Sequence, residues 1–522
     1  MKRNPGNHFQ ALYCIEPGRI VRQGAGSVSM LLLSILFLWP GIAKGQQSDS
    51  VLLNEFDAAL VHFAGSDPLR HASWSFTAID VNSGERYRGV NDHLALIPAS
   101  TLKPYTSGAV LSMLGSDYRF TTSVMMGGEM DQDGVLHGNL YMVGGGDPTL
   151  GSERFGAEAN IDSLFLRILI SLQDLGIHTI SGYVMGDGSI FGTMPVTTSW
   201  QYEDIGNHYG AGAYGLSAWD NRVTYTFQPG RRPGDPAPLA GTTPDVSYLN
   251  VINEVTTGHR GSGDRVNIFG APYTNQHWLR GTVPAGVASF DVGGALPDPP
   301  YQVAFELHNY LVENGISITQ PPTTHLRVQW MGETDTLIRR TLMVHQSPPL
   351  EEIVYWVNFR SVNMYAEALV KILGHERGEA GTTAEGLRVI ERFWAGRGVD
   401  LSGLNLKDGS GLSRKNIITT QTLARALVVM TQDHSWESFY ASFPVAGETG
   451  SVANRFRRGA ARGNLRAKSG TLENVRGFSG YANTASGRTL AYALVVNNYC
   501  GTRNNLMNEI EILLRKMCEI DD

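Results

Sequence analysis

The sequence predicts an α+β fold in which one domain is split by a long, mostly β insertion. Strand and helix patterns near the N-terminus are followed, in the C-terminal third, by further helices, strands and a last helix. The stretch between these two parts is instead rich in turns and short strands. The 522 residues also exceed what one hydrophobic core usually organises, and a hydrophobic content of 42% is typical of packed globular domains.

The first part of the split domain begins with a predicted hairpin and a helix. The stretch SWSFTAIDVNSGERYRGVN, from Ser73, alternates apolar and polar residues around a glycine-containing turn. Apolar residues recur at helical spacing after Ser100, and Pro98 suits the entry to a first helical turn. We therefore expect Ser100 near a helix N-terminus.

The insertion is expected between about residue 123 and residue 343. Its short apolar runs are separated by Gly, Asp, Asn and Pro, and one helix, in NIDSLFLRILISLQDLG, interrupts them. No internal repeat is present. This pattern of short strands and turns predicts one inserted domain from residues 123–215 and 320–343, and a second domain, residues 216–319, nested within the first.

The C-terminal part completes the split domain. The stretch HQSPPLEEIVYWVNFRSVNMYAEALVKILG predicts two helices interrupted at RSVN. NLRAKSGTLENVRGFSGYANTASGRTLAYALVVNNY then predicts three strands with a turn at NTASG, and a helix in NLMNEIEILLRKM closes the chain. Residues 46–122 and 344–522 are thus assigned to the split domain.

The N-terminus is typical of a secretory signal. Four basic residues precede an apolar run, residues 30–39, that is too short for a permanent membrane span, and small residues follow it. We expect residues 1–45 to be cleaved, with an uncleaved anchor as the alternative. The remaining chain, in the periplasm or another extracytoplasmic compartment, has 37 basic and 48 acidic residues, a net charge of -11. Such a surface disfavours nucleic acid and anionic lipid, so membrane association is at most peripheral.

Three cysteines and 14 histidines offer no obvious metal site. Cys14 leaves with the signal, and a predicted helix separates Cys500 from Cys518, so two free or buried thiols are favoured, although pairing stays open. No H-E-x-x-H or C-x-x-C spacing occurs, which disfavours a zinc peptidase. The sequence indicates no cofactor.

Three short motifs carry the candidate chemistry. S-x-x-K occurs once, at Ser100 and Lys103; S-x-N occurs once, at Ser361 and Asn363; and K-[ST]-G occurs once, at Lys468, Ser469 and Gly470. Each motif alone has an ordinary explanation: a helix N-cap, a helix stop, and a strand end with a solvated lysine. With eight lysines in the chain, the three together in this order are hard to obtain by chance.

The motifs resemble the signature of the penicilloyl serine transferases. The 261 residues between Ser100 and Ser361 are similar to the long insertion of penicillin-binding D-alanyl-D-alanine carboxypeptidase/endopeptidases of the DacB type, the low-molecular-mass class C penicillin-binding proteins. GGGDPTL, YGAGAYGLSAWDN and KDGSGLSRKNIITTQTLARAL are also family-like. The resemblance spans the chain after the signal. It implies a β-lactamase/transpeptidase-like catalytic domain, an antiparallel sheet flanked by helices, that cleaves peptidoglycan stem peptides or cross-links and is acylated by β-lactams.

The residue types fit acyl transfer through Ser100. A serine hydroxyl attacks only after a neighbour takes its proton, and Lys103 lies one helical turn on. Its amine can accept that proton if burial beside a second cation, Lys468, lowers its pKa. Ser361 would relay a proton to the leaving amine, and Asn363 would hold the substrate amide and the Lys103 head group.

The third motif is expected to bind substrate. Lys468, Ser469 and Thr471 could hold a terminal carboxylate along one strand edge. As the family implies, the N–H groups of Ser100 and Thr471 would form the oxyanion hole. Gly470 belongs to the same substrate-binding set.

Two residues depart from the family, and two other stretches have simpler explanations. Pro104 removes a backbone donor early in the helix and could shift the Lys103 amine, and Ser469 replaces the commoner threonine. GGGDPTL lacks the end of a phosphate loop and is taken as a tight turn. Asp408, in DGSGLSR, is expected mainly to bond its own backbone.

Two alternative functions stay open. One is a β-lactamase, although no stretch resembles the E-x-x-x-N loop that such an enzyme uses. The other is a non-catalytic wall-binding scaffold.

Overall fold

A computed structural model describes residues 54–521, so the predicted signal and Cys14 lie outside the described residues. The first described segment carries the predicted hairpin and helix, with an additional helix before them. Its elements are α1 (Glu55–Gly65), β1 (Ser73–Asp80), β2 (Arg86–Val90), β3 (Ala95–Leu96) and α2 (Lys103–Leu114).

The middle of the chain folds mainly as strands. In order, its elements are β4 (Thr121–Met130), β5 (Val135–Gly144), α3 (Ile161–Asp174), β6 (Thr179–Ile180), β7 (Val184–Asp187), α4 (Tyr202–Ile205), β8 (Arg222–Phe227), β9 (Leu239–Thr243), β10 (Asn250–Gly258), β11 (Arg265–Phe269), β12 (Gln276–Pro284), β13 (Phe290–Ala295), α5 (Pro299–Glu313), β14 (Ser317–Ile318), β15 (Thr323–Thr324), α6 (His325–Trp330) and β16 (Arg339–Gln346). The prediction of a single helix here is wrong. The largest addition is α5, which begins with two prolines that suit a first helical turn.

The last part is helical first and then forms three strands and a helix, as predicted. Its elements are α7 (Leu350–Phe359), α8 (Asn363–Arg377), α9 (Thr383–Ala395), β17 (Ile418–Thr419), α10 (Thr420–Met430), α11 (Trp436–Ala441), β18 (Leu465–Leu472), β19 (Val475–Asn483), β20 (Thr489–Asn497) and α12 (Arg503–Cys518).

A five-stranded antiparallel sheet joins the two ends of the described chain. Its order is β18-β19-β20-β1-β2, so β18, which carries the third motif, is an edge strand. Strand β20 shows why both faces are covered: Ala491 and Ala493 pack into the cluster that contains α2, α8 and α10, whereas Tyr492 and Leu494 pack with α1 and α12. Alternate apolar residues thus bury both sides of the sheet.

The insertion contributes three further sheets. Strands β4 and β16 pair side by side, with Thr121 opposite Gln346, so the chain leaves and re-enters the first part at neighbouring points. Both belong to a seven-stranded sheet. Residues 222–295 form two three-stranded sheets, β13-β8-β9 and β10-β12-β11. The division of these sheets into domains stays a prediction.

Other features of the described part bear on the sequence predictions. Cys500 is exposed and Cys518 is buried, and both are free thiols. Within residues 54–521, no helix combines the length and the apolar character that a bilayer crossing requires. In the same described residues, no three His, Cys, Asp or Glu side chains lie close enough together to hold a metal ion.

Candidate active site

The turn between β3 and α2 presents the serine of the first motif. Ser100 lies in a 3₁₀ turn, Ala99–Leu102, and Lys103 is the first residue of α2. Ala99 has a φ of 49°, a left-handed conformation that non-glycine residues rarely adopt. Pro104 lies in the first turn of α2, where proline is tolerated. Its expected effect on the Lys103 amine stays a prediction.

Lys103 holds the centre of the site. Its side chain is 0% exposed, and its Nζ lies 3.0 Å from Ser100 Oγ. The same nitrogen lies 2.6 Å from Asn363 Oδ1 and 2.6 Å from the carbonyl oxygen of Ser410. The first and second motifs are therefore joined through one amine.

The second and third motifs meet through Lys468. Its Nζ donates to Ser361 Oγ at 2.9 Å and to the carbonyl oxygen of Ser469 at 2.6 Å, and its side chain is fully buried. Ser361 lies just before α8 with a φ of 63°, which turns its hydroxyl toward that ammonium group. The structure thus brings all three predicted motifs into one pocket.

The edge strand β18 lies directly against the Ser100 turn. A Cβ atom on Gly470 would lie 2.8 Å from the Pro98 carbonyl oxygen and 3.1 Å from Ser100 N, so this close approach requires glycine. Ser469 Oγ donates to Ser451 Oγ at 3.0 Å, and Thr471 is exposed at the outer end of the strand. Ser451, which belongs to none of the three sequence motifs, therefore lies beside the third motif.

Burial sets the basicity of the two lysines. Burial lowers the pKa of Lys103 to about 7, against the opposing effect of Asp408 and Glu367. The pKa of Lys468 also lies well below its ordinary value, because of burial and, second, because of the charge of Lys103. Burial is therefore the main cause of the lowered pKa at both lysines, and the repulsion between the two amines is secondary.

The loop after α9 and one residue of α8 contribute groups to the site that sequence reasoning missed. Asp408 is buried and, as predicted, accepts hydrogen bonds from its own loop, at Gly411 N (2.8 Å) and Ser413 N (2.6 Å). The loop also directs the Ser410 carbonyl to Lys103, which was not predicted. A buried acid on α8, Glu367, accepts from Ser410 N at 2.8 Å. The only sequence signal was an acid one turn after Asn363 in an apolar run.

One segment of the insertion lies against this catalytic region. The carbonyl oxygen of Tyr209 accepts from Asn363 Nδ2 at 2.8 Å, and Trp200 Nε1 donates to Asp408 Oδ2 at 2.8 Å. Gln201 Oε1 accepts from Arg414 Nε at 2.9 Å. The insertion therefore forms part of the wall of the site.

These features define a class of protein. A serine hydroxyl is hydrogen-bonded to a buried lysine of lowered pKa, and both lie beside an edge strand. This arrangement is that of a serine acyl-transfer enzyme that uses lysine in place of histidine.

Comparison with known proteins makes the assignment specific. Residues 57–517 match the D-Ala-D-Ala carboxypeptidase 3 (S13) family. The chain is 30% identical over 493 residues to a D-alanyl-D-alanine carboxypeptidase of Actinomadura sp. (strain R39), covering 91% of this chain and 86% of the relative. It is 22% identical over 428 residues to D-alanyl-D-alanine carboxypeptidase DacB of Haemophilus influenzae, covering 81% and 85%. The chain belongs to the D-Ala-D-Ala carboxypeptidase 3 (S13) family, and the predicted family, serine peptidase class and carboxypeptidase activity are confirmed.

Solved structures agree on the fold. Penicillin binding protein 4 (dacB) from Haemophilus influenzae superposes with a TM-score of 0.73 at 20% identity, covering 88% of this chain and 98% of that one. A second structure of that protein, complexed with a β-lactam, gives a TM-score of 0.69. The predicted α+β class is confirmed.

Proposed function

We propose that this enzyme cleaves D-alanyl-D-alanine bonds of peptidoglycan stem peptides or cross-links through an acyl-enzyme on Ser100. The observation that carries the proposal is the 3.0 Å contact between Nζ of the buried Lys103 and Oγ of the partly exposed Ser100. A lysine whose pKa is about 7 is partly neutral at neutral pH, so it can take the serine proton.

The acylation step follows from these contacts. As Ser100 Oγ attacks the carbonyl carbon of the scissile peptide, its proton passes to Lys103, and a bond forms between Oγ and that carbon. The bond to the leaving D-alanine nitrogen then breaks, and this nitrogen receives the proton that Lys103 took, relayed by the Ser361 hydroxyl, which Lys468 orients at 2.9 Å. Water later attacks the ester carbon; its oxygen and one hydrogen complete the product acid, and its other proton restores the Ser100 hydroxyl.

The edge of β18 supports substrate binding. Strand β18 is an edge strand, and residues 444–446 bond only its first part, at Leu465 and Ala467. Its later part, which carries the third motif, could pair with an extended peptide or with a β-lactam that mimics it. The N–H groups of Ser100 and Thr471 would hold the oxyanion, and Ser469 and Thr471 would contact a terminal carboxylate. Lys468 would support the same carboxylate site from behind the strand, because its buried amine bonds Ser361 Oγ and the Ser469 carbonyl oxygen.

An extracytoplasmic location is part of the proposal. Peptidoglycan lies outside the cytoplasmic membrane, and the pattern of residues 1–45 is that of an export signal. The location would be the periplasm or an equivalent envelope compartment.

Labelling with a fluorescent penicillin tests the proposal. Wild-type protein should form a covalent adduct and release D-alanine from a stem pentapeptide, whereas Ser100→Ala should do neither. A long-lived adduct supports a peptidase, and rapid turnover of the penicillin would instead support a β-lactamase. Absence of both labelling and D-alanine release in the wild type would exclude catalysis and leave a wall-binding scaffold.

A further inference from the structure

A buried carboxylate lies behind the candidate base. Glu367 is on α8, one helical turn after Asn363, and is 2% exposed. Its Oε1 atom accepts two backbone hydrogen bonds, from Gly409 N at 3.1 Å and from Ser410 N at 2.8 Å. One side chain therefore holds two consecutive N–H groups of the loop that reaches the active site.

The same loop residue contacts the lysine. The carbonyl oxygen of Ser410 lies 2.6 Å from Lys103 Nζ, and the neighbouring Gly409 carbonyl accepts from Thr106 Oγ1 of α2 at 2.8 Å. The loop is thus held by Glu367 at its N–H groups and contacts α2 through its carbonyl groups. A shift of the glutamate would move the carbonyl that Lys103 uses.

The hydrogen-bond count at Lys103 shows why this carbonyl matters. A neutral amine has two N–H donors and one lone pair. The Ser410 carbonyl and Asn363 Oδ1 are oxygens that only accept, and the Asn363 amide is oriented by its Nδ2 donating to the Tyr209 carbonyl. These two acceptors use both N–H groups, so the lone pair is left for the hydroxyl of Ser100 at 3.0 Å.

We propose that Glu367 is a positioning residue for acylation: by fixing Ser410, it orients the neutral amine of Lys103 so that its lone pair faces Ser100. The inference rests on the proposed function, since it assigns a role within the acylation step. Glu367 does not touch the reacting atoms and acts through the loop.

Titratable groups lie on every side of Glu367. Lys103 faces it from α2, Asp408 from the loop and Lys371 from α8 itself. Burial, together with the charge of Asp408, raises the pKa of Glu367 to about 8. Below that pH, Glu367 is mostly protonated and neutral, so glutamine matches both its charge and its acceptor oxygen. The acid limb of the acylation profile, which follows Lys103, should therefore stay in place when glutamine replaces Glu367.

The test is the second-order rate of acylation by a fluorescent penicillin between pH 5.5 and pH 9. Glu367→Gln keeps an acceptor for the two N–H groups, so its rate at pH 7 should stay within about fivefold of wild type, with an unchanged acid limb. Glu367→Ala removes the acceptor, and its rate should fall about 10- to 100-fold. Glu385→Gln is the matched control, because Glu385 is 3% exposed on the neighbouring helix and pairs with Arg388. It should leave rate and pH profile unchanged.

The outcomes separate the inference from the proposed function. A wild type that is not acylated removes the proposed function itself. An acylated wild type with an unchanged Glu367→Ala rate, or a Glu367→Gln rate that falls as far as the alanine rate, overturns the positioning role. If Glu367→Ala does not fold, as circular dichroism would show, Glu367→Asp takes its place. Its carboxylate is one methylene further from the two N–H groups, so an acylation rate equal to wild type would overturn the role.

Discussion

Two buried lysines of this enzyme have similar surroundings and different partners. Lys103 and Lys371 are 0% and 1% exposed, and burial lowers their pKa values to about 7 and about 8. Glu367 lies near both and opposes that effect in each case. Lys103 Nζ contacts a hydroxyl, Ser100 Oγ, whereas Lys371 Nζ donates to two carbonyl oxygens, of Met194 (2.9 Å) and Ala213 (2.8 Å).

The difference teaches what makes a buried lysine a base. Burial alone lowers the pKa of both amines, so a low pKa does not distinguish the reactive lysine from the structural one. Of the two, Lys103 is the one that lies next to a group able to give up a proton. Lys371 holds the insertion segment between Met194 and Ala213 against α8.

The largest expected effect separates these roles. Lys103→Met removes the proton acceptor while keeping the length of the side chain, so acylation by a fluorescent penicillin should slow about 10²- to 10⁴-fold. The measurement is the second-order labelling rate at pH 7.5. Lys371→Met is the matched control, and its rate should change by less than about threefold, since it contacts none of the three motifs. Equal losses in the two variants would contradict the distinction.

The next prediction concerns stability against pH. Below about pH 8, Lys371 is protonated in both the folded and the unfolded protein, so it adds no pH dependence. Between about 8 and the ordinary value of 10.5, the unfolded chain holds a proton that the folded protein lacks. The free energy of unfolding should therefore rise with pH in this window, by about 1.4 kcal/mol per unit from this lysine.

Urea unfolding of wild type and Lys371→Met between pH 7 and pH 10 measures this contribution. Because the variant lacks the titrating amine, the difference in unfolding free energy between the two proteins should grow in favour of wild type above pH 8. A difference that stays constant up to pH 10 would show that Lys371 keeps its ordinary pKa in the folded state.

Much of the fold could be predicted because local patterns decided it. The hairpin of β1 and β2, helices α3, α7 and α8, and strands β18 to β20 each have an apolar period of their own. Helix α5 was missed because its two leading prolines lie in a stretch dominated by turn residues, and proline favours a helix start as well as a turn. The parallel pairing of β5 with β7 joins strands separated by α3, and no local pattern records it.

The active site also has one part that sequence patterns predicted and one part that they did not. The three motifs were found by side-chain spacing, and the structure brings Ser361 to Lys468 and Asn363 to Lys103. Their catalytic roles stay predictions. The carbonyl of Ser410 could not be found, since every residue has a carbonyl and only the folded loop aims this one at Lys103. The same holds for the backbone carbonyl of residue 209 that orients Asn363.

The smallest expected effect tests whether the two lysine regions act independently. Trp200 lies in the insertion segment that Lys371 holds, yet its Nε1 donates to Asp408, in the loop that serves Lys103. Trp200→Phe removes one hydrogen bond and keeps most of the ring, so the free energy of unfolding should fall by about 1 kcal/mol. Acylation should slow by less than about threefold, because Glu367 still fixes the loop. Urea unfolding and penicillin labelling measure the two effects. A more than tenfold loss of acylation would mean that the insertion, through this one contact, controls the orientation of the base, and that the two lysines belong to one coupled unit.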